Sequence, residues 1–430
     1  MLEKEYRHLP RMLYADATGQ IYDHPFFRMT GFSGSSPAYL TMRDLVPVPE
    51  FSKMFYIPGC PPVGLDPFTG EFKIVFEAEV NGVLDECYAV SVFLEPGLVR
   101  THLPAVDYTD KDYTLPMWAY TAVGFMDERY WATAFRIEYD GKWDPANYDD
   151  TALVPAIQEF KDTNTIGPLF EHLINCATDN HCFAAKNLFL KRWEAPLPVS
   201  RRCNASCLGC LSLQQGPSCE ASHQRISFRP SQEEIVLLAV QHLKQAPEAI
   251  VSFGQGCEGE PLTEHLLIAD SIREIRRQTK LGTINLNTNG SRPERIRRIA
   301  ESGLDSIRIS LNSARPDLYR AYYRPLDYDF DDVVASIALS KEIGLFTMVN
   351  HLVFPGITDQ DEEIKALKEL IRETGLKFIH FKNLNIDPQL YLEKMPKAKT
   401  AGIGLRQMVG ILRKEFPDLQ VGYFNKPVKN

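Results

Sequence analysis

No stretch of this 430-residue sequence comes near the ~18 consecutive apolar residues that a membrane-spanning helix needs. An apolar leader is missing too: Met1 is followed by Glu3, Lys4, Glu5 and Arg7, so the expected location is cytoplasmic. Basic charge is short. The 47 Lys and Arg against 56 Asp and Glu give a formal charge of −9, which leaves no electrostatic footprint for non-specific nucleic-acid binding. The densest basic clusters, Arg273, Arg276 and Arg277, then Arg292, Arg295, Arg297 and Arg298, fall on expected helices beside Glu and Ile and read as solvated outer faces. Disorder-prone composition is absent, with 44% hydrophobic and 24% charged residues. Cysteine is sparse. Nine cysteines, an odd number, in a reducing compartment read as thiols or metal ligands, not as a disulfide framework. None follows Lys382, so an auxiliary iron–sulfur cluster built in the C-terminal region of this sequence is not expected.

What is present divides the chain into four parts. Residues 1–149 are strand-rich and turn-rich. Glu71 to Val80 and Val83 to Phe93 are β-branched, apolar runs joined by Asn81-Gly82, the pair that tolerates positive φ at both centres of a type I′ turn. Trp118 to Val123 and Trp131 to Tyr139 read as a second strand pair. In residues 150–194 the apolar period becomes helical, through Ile157, Phe160, Leu169, Leu173, Phe183 and Leu188, and predicts a linker of two or three helices. Residues 195–390 alternate short apolar strands with amphipathic helices. The strands are Leu197 to Ser200, Ala249 to Phe253, Ile284 to Asn287, Ser306 to Leu311, Leu345 to His351 and Phe378 to Asn383. Ser231 with Glu234 three residues on marks the start of the first crossover helix. Residues 391–430 read as a helix and a short strand. Six βα units imply either an open doubly wound sheet or a barrel of fewer than eight strands, with chemistry at the carboxyl ends of the strands in both cases.

After the first of these strands comes Cys203-Asn204-Ala205-Ser206-Cys207-Leu208-Gly209-Cys210. Three thiolates on one loop suit an iron–sulfur cluster that keeps one iron open. They also suit a zinc site closed by Cys219.

The C-x3-C-x2-C spacing resembles the signature of the radical S-adenosylmethionine (radical SAM) superfamily, and the resemblance runs from about Leu197 to Asp387. It implies an α/β fold, a partial (β/α)6 barrel here preceded by the β-rich domain and the helical linker. It also implies one 4Fe-4S cluster on Cys203, Cys207 and Cys210, whose fourth iron is chelated by S-adenosylmethionine. Reductive cleavage of that cofactor yields a 5′-deoxyadenosyl radical that abstracts hydrogen, and the electron comes from a low-potential donor such as a ferredoxin or flavodoxin. Further segments resemble the family at the correct strand ends. Glu258-Gly259-Glu260-Pro261 matches a Gly-Gly-Glu-Pro element, with Gly259 and Glu260 at the methionine ammonium. Asn289 sits in the Thr-Asn-Gly turn, Ser310 and Asn312 occupy the segment that contacts the carboxylate or ribose, and Val353 opens the apolar segment that packs on adenine. Two positions depart from the pattern: Gly209 stands where an aromatic residue is common, and Glu258 replaces the first glycine.

For the specific reaction, Cys257 is a candidate hydrogen-atom donor or second-cluster ligand, and Arg324, beside Arg320, Tyr322 and Tyr323, a candidate for an anionic substrate group. Cys176 and Cys182 read as buried thiols of the helical linker, and the role of Cys60, Cys87 and Cys219 is open. Asn350, His351, Lys382, Asn383 and Asn385 lie at the last strand ends, either orienting a ligand or satisfying loops. The expected function is an oxygen-sensitive radical SAM enzyme acting on a peptide, a protein or a small metabolite in preference to RNA. The alternative is a non-catalytic metal-binding recognition protein.

Overall fold

A computed structural model describes residues 6–148, 150–165, 167–214 and 221–429. The chain forms two compact units, one of residues 1–139, 353–365 and 381–417, the other of residues 140–352, 366–380 and 418–430.

The first unit is built on a ten-stranded sheet, paired antiparallel, over a core that includes Leu13, Ala15, Val90, Val92, Val123, Ala132 and Ala134. The Asn81-Gly82 hairpin forms, with φ of 52° and 83° at its two centres. Its arms are shorter than the apolar runs suggest. Glu77–Val80 pairs with Val83–Glu86, and the chain then leaves the hairpin at Val75 and Cys87, which sink into one apolar cluster with Met12, Tyr14 and Ala78. The outer pieces find other partners: Phe72–Ile74 pairs with Val63–Leu65, and Tyr88–Phe93 with Lys53–Ile57. The second expected pair is also shifted. Val123–Met126 pairs with Arg129–Arg136 around Asp127 and Glu128, both at positive φ, whereas Trp118 is exposed and Thr121 makes only an isolated bridge to Val92. A buried ion pair, Lys111 Nζ to Asp387 Oδ2 at 2.7 Å, lies in the same unit, where Asp387 also accepts from the Leu115 amide.

The second unit holds three helices, α1 (Leu153–Thr163), α2 (Pro168–Thr178) and α3 (Phe183–Phe189), ahead of the α/β series. Seven strands then stand side by side in chain order: Glu194–Pro196, Ile250–Phe253, Thr283–Thr288, Ser306–Leu311, Phe346–Val353, Phe378–Asn383 and Gln420–Gly422. Parallel pairing runs through the first five, and the last two pair in parallel. A row in chain order never reverses, so the doubly wound alternative is excluded and the barrel-type winding remains. The helices between strands include α4 (Gln232–Gln245), which starts at the Ser231–Glu234 capping box, α5 (His265–Gln278), α6 (Pro293–Ala300), α7 (Pro316–Tyr323) and α8 (Phe330–Glu342).

The first strand lies earlier than Leu197 to Ser200. The Leu197 amide still donates to Ser252, but the Val199 and Ser200 amides are taken by the Glu258 carboxylate, so no neighbouring strand can pair there. The row also gains a seventh member, Gln420–Gly422, beside the sixth.

Candidate active site

The loop of Cys203, Cys207 and Cys210 follows the first strand and is held by backbone. The Ser206 amide donates to the carbonyls of Tyr323 and Arg324 at 3.1 and 3.2 Å, the Leu208 amide to Tyr322 at 2.9 Å, and the Leu326 amide to Asn204 at 3.0 Å. The Asn204 side chain completes the anchorage. Its Nδ2 donates to Ser291 Oγ and Asp327 Oδ1, both at 3.0 Å, and its Oδ1 accepts from Asn289 Nδ2 at 2.9 Å. The cysteine loop is thereby tied to the turn after the third strand and to the segment after α7.

All three thiols are half-buried. Burial pushes Cys203 up to about 11, with the Glu260 carboxylate adding to the effect, and burial with the two neighbouring thiols pushes Cys207 well above the ordinary range. Their protons must therefore leave when metal binds. Arg225 supplies positive charge where thiolates would form: its Nη2 lies 3.4 Å from Cys210 Sγ and its Nε donates to Ser212 Oγ at 3.0 Å. The three sulfurs are not all within 4.8 Å of one another. Tetrahedral zinc with Zn–S of about 2.3 Å would draw its thiolates to roughly 3.8 Å apart. Cys219, the proposed closing ligand of a zinc site, lies outside the described residues.

Glu260 and Asn289, from the loops after the second and third strands, come together. The buried Glu260 carboxylate accepts from the Leu262 amide at 3.0 Å, from the Asn289 amide at 2.8 Å and from the Thr288 hydroxyl. Burial nevertheless pushes it up to about 7. Gly259 is required by a close approach of two chains, since a Cβ there would stand 2.0 Å from the Arg202 carbonyl oxygen. The Gly259 and Glu260 amides donate to Ser200 and Arg202, lacing this loop to the one that carries the cysteines. Glu258 points into protein. Its carboxylate accepts from the amides of Val199, Ser200, Gly254 and Gln255 at 2.6 to 3.0 Å, and burial pushes it up to about 7 against those four donors.

Ser310 is half-buried near the end of the fourth strand, in register with Asn350. Asn312 is buried just beyond it, with Nδ2 donating to the Leu318 carbonyl at 3.2 Å. Asn312 Oδ1, Asn287 Nδ2 and Asn350 Oδ1 are buried polar atoms without a partner, at the ends of three adjacent strands. Unpartnered atoms of this kind suit a polar ligand. Together with the three thiols and the Glu260 carboxylate, they fit a cluster with an aminoacyl cofactor. Tyr319, Tyr323 and Tyr328 lie close enough to Cys207 to feel its charge.

Other expected residues are placed differently. Val353, buried, ends the fifth strand within the first compact unit. In that unit Asn383 satisfies loops: its Oδ1 accepts from the Arg100 amide and its Nδ2 donates to the Leu98 carbonyl, both at 2.9 Å. The Arg324 side chain is exposed, and its residue ends α7 in the left-handed conformation, φ 48°. Cys257 is buried beside Cys176 and His172. Residue patterns missed Arg225, Asn204 and Thr288. The last two adjoin recognised motifs, whereas nothing in the sequence around Arg225 marks it.

Residues 197–367 match the family model of the radical SAM superfamily. Among curated proteins, the chain is 26% identical over 208 residues to a GTP 3′,8-cyclase of Petrotoga mobilis, covering 47% of this chain and 56% of that one. It is 27% identical over 224 residues to a probable GTP 3′,8-cyclase of Methanosarcina acetivorans, covering 49% and 63%. The chain thus spans roughly three fifths of the length of these relatives. A solved structure of the FeFe-hydrogenase maturase HydG from Carboxydothermus hydrogenoformans aligns at a TM-score of 0.37 and 17% identity, over 63% of this chain and 65% of that one. Residues 197–367 thus carry a radical SAM superfamily domain, and the cofactors of that family are a 4Fe-4S cluster and S-adenosylmethionine.

Proposed function

We propose that this protein is a radical SAM enzyme that cleaves S-adenosylmethionine reductively and takes hydrogen from a small polar metabolite. The network Glu260–Asn289–Asn204 carries the reading, because it joins the proposed cofactor-binding strand ends to the cysteine loop through two hydrogen bonds of 2.8 and 2.9 Å. A structural metal site has no use for such a carboxylate.

Cys203, Cys207 and Cys210 would ligate three irons, and Arg225 would offset the thiolate charge at Cys210. Glu260 would receive the methionine ammonium, whose positive charge favours the ionised carboxylate. Gly259 keeps that loop against the cysteine loop. Asn289, Ser310 and Asn312 would orient the carboxylate and ribose, and Arg324 would meet an anionic group of the substrate. When bound, the cluster supplies the electron for cleavage, drawn from a ferredoxin- or flavodoxin-type donor. A small metabolite is favoured over a peptide by the names of the curated relatives, which point to a nucleotide substrate.

Anaerobic reconstitution with iron and sulfide, then reduction with S-adenosylmethionine, should yield 5′-deoxyadenosine, at a rate raised by GTP or another small metabolite. A cysteine loop that takes up no iron and sulfide on reconstitution would instead support a non-catalytic recognition module.

A further inference from the structure

We propose a second metal site in the α/β unit, formed by His172, Cys176 and Cys257, that takes one zinc ion and fastens α2 to the loop carrying Glu258 and Glu260. It stands apart from the cysteine loop and does not rest on the catalytic reading.

His172 and Cys176 are four residues apart on α2, so their side chains share one face of the helix. Cys257 reaches the same point from the loop after the second strand. His172 Nε2 lies 3.4 Å from Cys176 Sγ, and the ligand atoms of all three residues are within 4.8 Å of one another. Tetrahedral zinc with Zn–S of about 2.3 Å and Zn–N of about 2.0 Å spaces its ligands by roughly 3.5 to 3.8 Å, so small side-chain shifts close the site. Among the described residues no other group of His, Cys, Asp and Glu meets this spacing.

Charge selects the ion. Cys176 and Cys257 are 2% and 5% exposed, and two thiolates with neutral imidazole exactly balance a divalent cation, leaving no net charge in a buried site. Thiolate with imidazole is a zinc donor set and a poor one for magnesium or calcium. His223 lies outside that group but is close enough to interact electrostatically with both Cys176 and His172, and a side-chain rotation would bring it in as the fourth donor.

The site has a positioning consequence. The Gly254–Glu260 loop is already laced from one side by the Glu258 carboxylate and the Gly259 amide, and a metal bond at Cys257 would hold it from the side of α2.

The test uses full-length protein produced with zinc in the medium. A Cys203→Ala/Cys207→Ala/Cys210→Ala variant, which has lost the cluster ligands, should retain about one zinc per chain, as expected for a closed structural site. Cobalt(II) in that variant should show tetrahedral ligand-field and thiolate charge-transfer bands that vanish with Cys257→Ser. In the otherwise wild-type chain, Cys257→Ser and His172→Ala should lose the zinc while keeping reconstituted iron and sulfide, and raise the KM for S-adenosylmethionine. His172 is only half-buried, so its replacement gives a folded protein in which metal loss is read directly. A triple-alanine variant that holds neither zinc nor cobalt, or zinc undiminished in both Cys257→Ser and His172→Ala, overturns the proposal. Failure of the cluster to reconstitute would leave the zinc result standing and would count against the catalytic reading alone.

Discussion

The cysteine loop and the Cys176–Cys257 pair hold sulfur in opposite ways. The loop gathers three thiols from eight consecutive residues and leaves them half-buried, outside any group of ligand atoms within 4.8 Å of one another. The pair brings two buried thiols from distant parts of the chain to within single-ion range, with an imidazole beside them. Sequence proximity advertises a site whether or not the sulfurs end up close. Spatial proximity needs the fold, and only the fold reveals the second site.

The comparison breaks most visibly if the loop is emptied. Replacing any one of Cys203, Cys207 and Cys210 by alanine should abolish the cluster's visible absorbance after anaerobic reconstitution and take 5′-deoxyadenosine formation to background. Glu260→Ala separates the cofactor from the cluster. Removing one partner of a buried hydrogen-bonded charge pair costs about 2 kcal/mol or more, so S-adenosylmethionine binding by titration calorimetry should weaken by about 30-fold or more while cluster absorbance persists.

A control lies in the β-rich unit. Lys111→Ala strands the buried Asp387 carboxylate and should destabilise that unit by about 3 to 5 kcal/mol in a urea melt. Cluster content should not change.

A pH-dependent effect sharpens the contrast between the neighbouring glutamates. Glu258 is raised from 4.5 to about 7 by burial, so the folded protein holds its proton more tightly than the unfolded chain does. Its stabilising contribution is full below pH 4.5 and is lost as pH rises through about 7. The stability of wild type relative to Glu258→Gln should therefore fall between about pH 5 and pH 8, by on the order of 3 kcal/mol. A difference that rises with pH would refute the assignment of burial as the dominant cause.

Much of this was readable along the chain. The Asn81-Gly82 turn, the Ser231–Glu234 cap and the three-cysteine loop are local: the residues that specify each feature are the residues that form it. What escaped was set by partners far away. Leu197 to Ser200 has the composition of a strand, but Glu258 takes its amides. The apolar runs beside the hairpin break because Val75 and Cys87 are buried in a cluster of the sheet. Arg225 becomes a thiol's neighbour only after the chain has turned back on itself, and His172 on α2 meets Cys257 for the same reason.

The anchorage of Asn204 bears on how the protein matures. The loop that would carry the cluster is fixed by amides, an asparagine and the backbone beyond α7, none of which needs iron. The expected consequence is a loop that keeps its shape without the cluster, checked by comparing amide hydrogen exchange over residues 203–210 before and after reconstitution.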